Sequence, residues 1–215
     1  MTLVLVAHGT RVPDGQAQIR DLARRVAHRA GDVRLTYVDV QAPHVRDVAT
    51  RLTAPAVVVP LLLTSGYHVR VDIAEAVVGV DAVVAPPLGA DGRLLGVLAD
   101  RLAAAGPADA VVLAAAGSSD PRSRAEVAAV AAALPVPTVV GYAASASPAV
   151  PDAVRALRAA GADRVVILTY LLADGRFHRC LHRAGGDLVT PPLADHPAVV
   201  DLVLGLASDL IEQRC

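Results

Sequence analysis

Leu3-Val4-Leu5-Val6-Ala7-His8-Gly9-Thr10-Arg11 lies at the start of the chain, and the rest of the sequence is organised around it. Its apolar run, rich in Val and Leu and bounded by turn formers, reads as a buried strand. The strand runs straight into an imidazole, a glycine, a hydroxyl and a guanidinium, and a turn at Pro13-Asp14-Gly15 follows. Apolar residues then recur at Ile19, Leu22, Ala23 and Val26, the spacing of one helix face. A strand, a polar turn and a helix begin a parallel α/β sheet, and such sheets place their chemistry at the carboxyl ends of the strands. The other strand ends therefore decide what the protein does.

Residues 33–40 read as a second strand that reaches Asp39, with a turn at Gln41-Ala42-Pro43 and a short helix over 44–52. Residues 56–63 carry no charge, which predicts a third strand buried on both faces. It leads into Thr64-Ser65-Gly66-Tyr67-His68 and a helix from about 71. A fourth strand over 83–85 ends at Pro86-Pro87-Leu88, and an amphipathic helix runs to about 105. Alternation of strands and helices implies right-handed parallel crossovers.

The same pattern then returns. Residues 110–119 mirror the opening strand and its glycine-hydroxyl turn, and Tyr142 to Pro148 mirror Tyr37 to Pro43. Residues 165–172 mirror the third strand, and Val189-Thr190-Pro191-Pro192-Leu193 mirrors Val84-Ala85-Pro86-Pro87-Leu88. This period is too long for a solenoid. It predicts two tandem flavodoxin-like α/β domains, 1–106 and 107–215, each with a small parallel sheet flanked by helices. The two would pack as a pseudo-dimer within a monomer.

Composition narrows the function. A net charge of −1 leaves no electrostatic footprint for nucleic acid or an anionic membrane. Aromatic content of 2% is too small for base-stacking platforms. No apolar run is long enough to span a bilayer and the amino terminus does not resemble a secretory signal, so a cytoplasmic protein is expected. The two cysteines, Cys180 and Cys215, make neither a disulfide framework nor a paired-cysteine zinc site. Cys180 reads as a small buried hydrophobe.

Three polar residues fall on successive strand ends: His8, Asp39 and His68. Adjacent strands lie about 4.8 Å apart, so two imidazoles and a carboxylate on one sheet edge could share a divalent cation. Such donors suit iron, cobalt, nickel, copper or zinc over magnesium or calcium. Arg11 and Arg70 flank the same edge and could hold carboxylates bidentately, or be solvated charges. Gly9, Gly66, Thr10, Thr64 and Ser65 could admit a ligand to the backbone, yet any strand-to-helix turn uses such residues. His28, His44, His182 and His196 read as ordinary helix or loop residues. The second half acts as a control: His8 aligns with Ala116, Asp39 with Ala144, and His68 with Phe177, or with His178 if one residue is inserted. A set needed for folding would persist in both halves, so one working site is expected, in the first.

The opening Leu-Val-Ala-His-Gly-Thr-Arg, the Tyr-Val-Asp-Val-Gln-Ala-Pro turn and Val-Pro-Leu-Leu-Leu-Thr-Ser-Gly-Tyr-His resemble the sirohydrochlorin chelatases over nearly the whole chain. These class II enzymes insert cobalt or ferrous iron, and in some relatives nickel, into a tetrapyrrole without ATP. The resemblance implies that His8 and His68 are the two active-site histidines. Asp39 stands where the family commonly has an acidic residue, often glutamate. It also implies that Gly9, Thr10, Arg11, Thr64, Ser65, Gly66, Tyr67 and Arg70 line the substrate, which would lie in a cleft walled by the degenerate second half. The partners would be the tetrapyrrole and its metal, with no further cofactor. Two rivals remain. A carrier of metal or tetrapyrrole would use the same histidines without catalysis. A histidine phosphatase would want an arginine before its histidine, where this chain has Ala7.

Overall fold

The computed structural model describes residues 1–213, except the side chains of His68, Arg70 and Ala90. Its strands form two four-stranded parallel sheets. The first takes β1 (Thr2–Ala7), β2 (Val33–Tyr37), β3 (Ala56–Leu61) and β4 (Ala82–Val84) in the order β2-β1-β3-β4. The second takes β5 (Ala110–Ala115), β6 (Thr138–Tyr142), β7 (Val165–Tyr170) and β8 (Leu188–Val189) in the order β6-β5-β7-β8. The two tandem α/β repeats expected from the sequence are present.

All six residues of β1 and all six of β3 are buried, as the absence of charge in the third strand predicts. Side chains alternate between faces along a strand. Val4, Val6, Ala56 and Val58 cluster with Val45 of α2 (Val45–Ala49) and Ala76 of α3 (Ala74–Ala76) on one face. Helix α1 (Pro13–Ala30) buries Ile19, Leu22, Ala23 and Val26, the stripe read from the sequence. It starts on a proline, whose fixed φ suits the first helical turn, and stops at Gly31 in the left-handed region at φ 85°.

In the second sheet, Val112, Ala114, Val165 and Ile167 pack with Val150, Ala153 and Val154 of α6 (Val150–Ala159) and Leu181 of α7 (Arg176–Leu181). Helix α5 (Pro121–Ala133) is capped by Asp120, whose carboxylate accepts the Arg122 N–H at 2.9 Å. Among the described residues no helix is long and apolar enough to cross a membrane.

The compact units do not follow the repeat boundary at Gly106. One unit is Met1–Asp91 together with the chain from Ala194, and the other is Gly92–Leu193. Each repeat ends in a helix that belongs to the other unit: α4 (Arg93–Ala105) to the second and α8 (Pro197–Glu212) to the first. Polar contacts accompany this exchange. In the second unit the Arg164 guanidinium donates to the Ala105 carbonyl at 2.7 Å and also to that of Pro107. In the first, Arg25 of α1 donates to the Ala194 carbonyl, and Arg29 pairs with Asp201 of α8 at 2.5 Å.

Several elements depart from their patterns. The second strand ends at Tyr37 rather than near 40, because Val40 turns into the left-handed region at φ 64°. The helix expected over 44–52 spans Val45–Ala49. The helix expected from about 71 is instead a π-helical turn over His68–Ile73 that runs into α3. Cys180 is exposed rather than buried, since α7 is short and buries Leu181.

Candidate functional site

Register places the site. Ala7 at the end of β1 pairs with Tyr37 of β2 and with Leu61 of β3, so all three strands deliver their next residues to one edge. In a sheet ordered β2-β1-β3-β4 the connections reverse direction between β1 and β3. That switch point is where such sheets bind ligands. His8 follows β1, Asp39 follows β2 by two residues, and the segment from Thr64 to His68 follows β3.

The turns after β1 and β2 are joined by their backbones. The Asp39 N–H donates to the His8 carbonyl at 3.1 Å, and the Val38 N–H to that of Ala7 at 3.0 Å. Gly9 must be glycine here. Its φ is 96°, and a Cβ would overlap the Asp39 carbonyl oxygen and lie 3.2 Å from Val40 Cβ. Val40 is a β-branched residue at positive φ, a rare and costly conformation. Its N–H donates to Asp39 Oδ1 at 2.7 Å, which fixes the carboxylate against its own turn.

His8 and Asp39 are both exposed, on adjacent turns. The His8 Nδ1 lies 3.2 Å from the Gly9 carbonyl. Arg11 is exposed, Thr64, Ser65 and Gly66 are half-buried, and Tyr67 is 61% exposed. The backbone of His68 opens the π-helical turn and that of Arg70 lies within it, while both side chains lie outside the described ones. π-Turns are frequent at functional sites. Among the described residues, which exclude the His68 side chain, no three of His, Cys, Asp and Glu are grouped to hold a metal.

Two side chains that the sequence reading passed over complete the edge. Gln41 Oε1 accepts the Thr10 N–H at 2.9 Å, and Gln16 Nε2 donates to the Thr10 carbonyl at 2.8 Å. The Tyr37 hydroxyl, at the end of β2, is pushed upward in pKa chiefly by burial, with Gln41 pulling the other way. A half-repeat comparison at position 41, where the second half has Ala146, was the available signal.

The second unit repeats this backbone without the ligands. Ala144 N–H donates to the Ala116 carbonyl at 2.9 Å, Gly117 has φ 97°, and Ser145 stands at φ 55° where Val40 does. Gly175 follows β7 at the spacing of Gly66 after β3, so Phe177 takes the place of His68 and no insertion is needed. His178 does different work. Its Nδ1 lies 3.1 Å from Asp174 Oδ1, and its ring meets His182 edge-on at 5.1 Å. Burial raises the Asp174 pKa, but hydrogen bonds from His178, the Gly175 N–H and Arg179 outweigh it and leave the carboxyl below its ordinary value. His196 is a helix cap, its Nδ1 accepting the Ala198 N–H at 3.3 Å.

Known proteins share this architecture. The CbiX family matches residues 2–105 and again 110–210. A sirohydrochlorin cobaltochelatase of Sulfurisphaera tokodaii is 28% identical over 107 residues, 46% of this chain and 89% of that protein. Another from Sulfolobus acidocaldarius is 26% identical over 107 residues, 46% of this chain and 87% of its own. SirB from Bacillus subtilis with Fe3+ superposes with a TM-score of 0.81 at 23% identity, covering 99% of this chain and 98% of its own. CbiX, described as the terminal enzyme for siroheme biosynthesis in denitrifying bacteria, gives a TM-score of 0.73 at 20% identity, covering 97% and 99%. Matched in both repeats over nearly its whole length, this chain belongs to the CbiX family.

Proposed function

We propose that this protein inserts a divalent metal, Co2+, Fe2+ or Ni2+, into sirohydrochlorin. The observation that carries the reading is the edge of the first sheet. His8, Asp39 and the His68 segment follow three neighbouring strands, whereas the second repeat keeps the same backbone with Ala116, Ala144 and Phe177. A site retained in one repeat and stripped from the other points to chemistry rather than folding.

Insertion replaces two pyrrole protons by one cation and releases both protons to a base. The metal, a substrate here, must be held loosely enough for pyrrole nitrogens to displace its ligands one at a time. His8 and His68 are the donors for this task, and one of them also accepts a pyrrole proton; imidazole suits that role because its ordinary pKa lies near neutrality. Asp39 either binds the metal or orients a histidine, as carboxylates beside metal-ligating imidazoles do. Arg11 and Arg70 are positioned in sequence to hold the carboxylates of the macrocycle. Gly9, Thr10, Thr64, Ser65, Gly66 and Tyr67 form the surrounding turns. The reading includes a monomer that works in the cytoplasm on no nucleic acid or membrane and without ATP.

The test is an anaerobic visible-absorption assay of sirohydrochlorin with Co2+ or Fe2+, with and without protein. A protein-dependent rate that collapses in His8→Ala and His68→Ala, both still folded, is expected. Binding of metal or macrocycle without faster insertion would overturn the enzyme in favour of a carrier.

A further inference from the structure

We infer that Gln41 is a positioning residue that holds the His8-bearing turn in register with Asp39. The inference rests on the proposed metal-holding role of His8 and Asp39. Gln41 lies two residues beyond Asp39 and grips Thr10, two residues beyond His8. Its Oε1 accepts the Thr10 N–H at 2.9 Å. Gln16 takes the other side of the same residue, donating to the Thr10 carbonyl at 2.8 Å. The Thr10 hydroxyl accepts the Val12 N–H at 3.1 Å and closes the turn.

The second repeat separates what the fold needs from what the site needs. Its equivalent turn keeps the backbone bond between strand ends, the left-handed glycine and the hydroxyl that accepts two residues on, with Ser118 receiving the Asp120 N–H at 3.1 Å. Arg124, which stands where Gln16 does, donates to the Ser118 carbonyl at 3.1 Å. Of the side-chain contacts to Thr10, that of Gln41 alone lacks a counterpart among the described residues, because position 146 is alanine. The turn therefore folds without this amide, and the half that lost His8 and Asp39 lost it too. Its role is to fix the spacing of two exposed donors on turns that backbone bonds alone leave room to shift. A donor displaced by an ångström holds a metal poorly and presents it badly.

The test uses the full chain and Co2+ alone. Gln41→Met keeps the volume and removes the acceptor, while Gln41→Glu keeps an oxygen for the Thr10 N–H. Gln41→Met should weaken Co2+ binding by about tenfold, the lower range for losing an outer support of a metal site, with the melting temperature lowered by only about 2–4 °C, the cost of one hydrogen bond. Gln41→Glu should restore binding, and His8→Ala should abolish it. Should Gln41→Met fail to fold, Gln41→Asn, one methylene too short to reach Thr10, makes the same comparison. Parent-like affinity in Gln41→Met or Gln41→Asn beside a dead His8→Ala overturns the role of Gln41 alone, as does a Gln41→Glu no better than the acceptor-free variant. Parent-like affinity in His8→Ala overturns the site reading itself.

Discussion

Gly9→Ala tests the site and the duplication together, because Gly117→Ala is its internal control. Both glycines sit at positive φ, 96° and 97°, which costs any other residue about 1–2 kcal/mol. In each turn a Cβ would also overlap a carbonyl oxygen, of Asp39 in the first and of Ala144 in the second. Further atoms crowd it: Val40 Cβ at 3.2 Å in one turn, the Ala144 carbonyl carbon at 2.8 Å in the other. Relieving such overlap in packed surroundings costs about 1–3 kcal/mol more. A combined loss near 3 kcal/mol lowers the melting temperature of a chain this size by about 6–12 °C. Both variants should show it by circular dichroism. They should differ in the insertion assay run well below either melting point. Gly9→Ala pushes the Asp39 peptide away from His8, and a displacement of about 1 Å at a reacting group costs on the order of 100-fold in rate. Gly117→Ala moves only Ala144 and should insert metal like the parent. A melting temperature for Gly9→Ala within about 2 °C of the parent would refute the steric reasoning. Equal loss of activity in both variants would refute a site confined to the first repeat.

Two further outcomes concern the second repeat. His178→Ala removes one hydrogen bond from Asp174 and should cost about 1 kcal/mol of stability in denaturant titration, with metal insertion close to the parent rate. A loss of activity matching that of His8→Ala would make the second repeat a direct participant. The Asp174 pKa is lowered in the folded protein, so the folded state binds fewer protons than the unfolded one as pH falls. The stability from this carboxylate is present above the ordinary value of about 3.9 and is lost as pH drops through the folded value. The gap in stability between the parent and Asp174→Asn should therefore narrow in acid; a gap independent of pH would contradict the assignment.

Much of the molecule was legible in the chain itself. The duplication, the eight strands, the α1 stripe of Ile19, Leu22, Ala23 and Val26, and the arrival of His8 and Asp39 at one edge all follow from local pattern. Parallel crossovers force every strand end to the same side, so residues at strand ends converge without any knowledge of packing. The early end of the second strand at Tyr37 and the π-helical turn at His68–Ile73 escaped that logic. Apolar spacing does not register a left-handed valine or a wider helical turn.

What the tertiary structure alone decided depends on pairs distant in the chain. The Gln41–Thr10 contact spans 31 residues, and Arg29–Asp201 spans 172. Helices α4 and α8 follow their own repeats in sequence, yet each belongs to the other unit. Both helices bury an apolar face, with Leu94, Val97 and Leu98 in α4 and Val199, Val203 and Leu206 in α8. Local pattern says that such a face must be covered; only the packed chain decides what covers it.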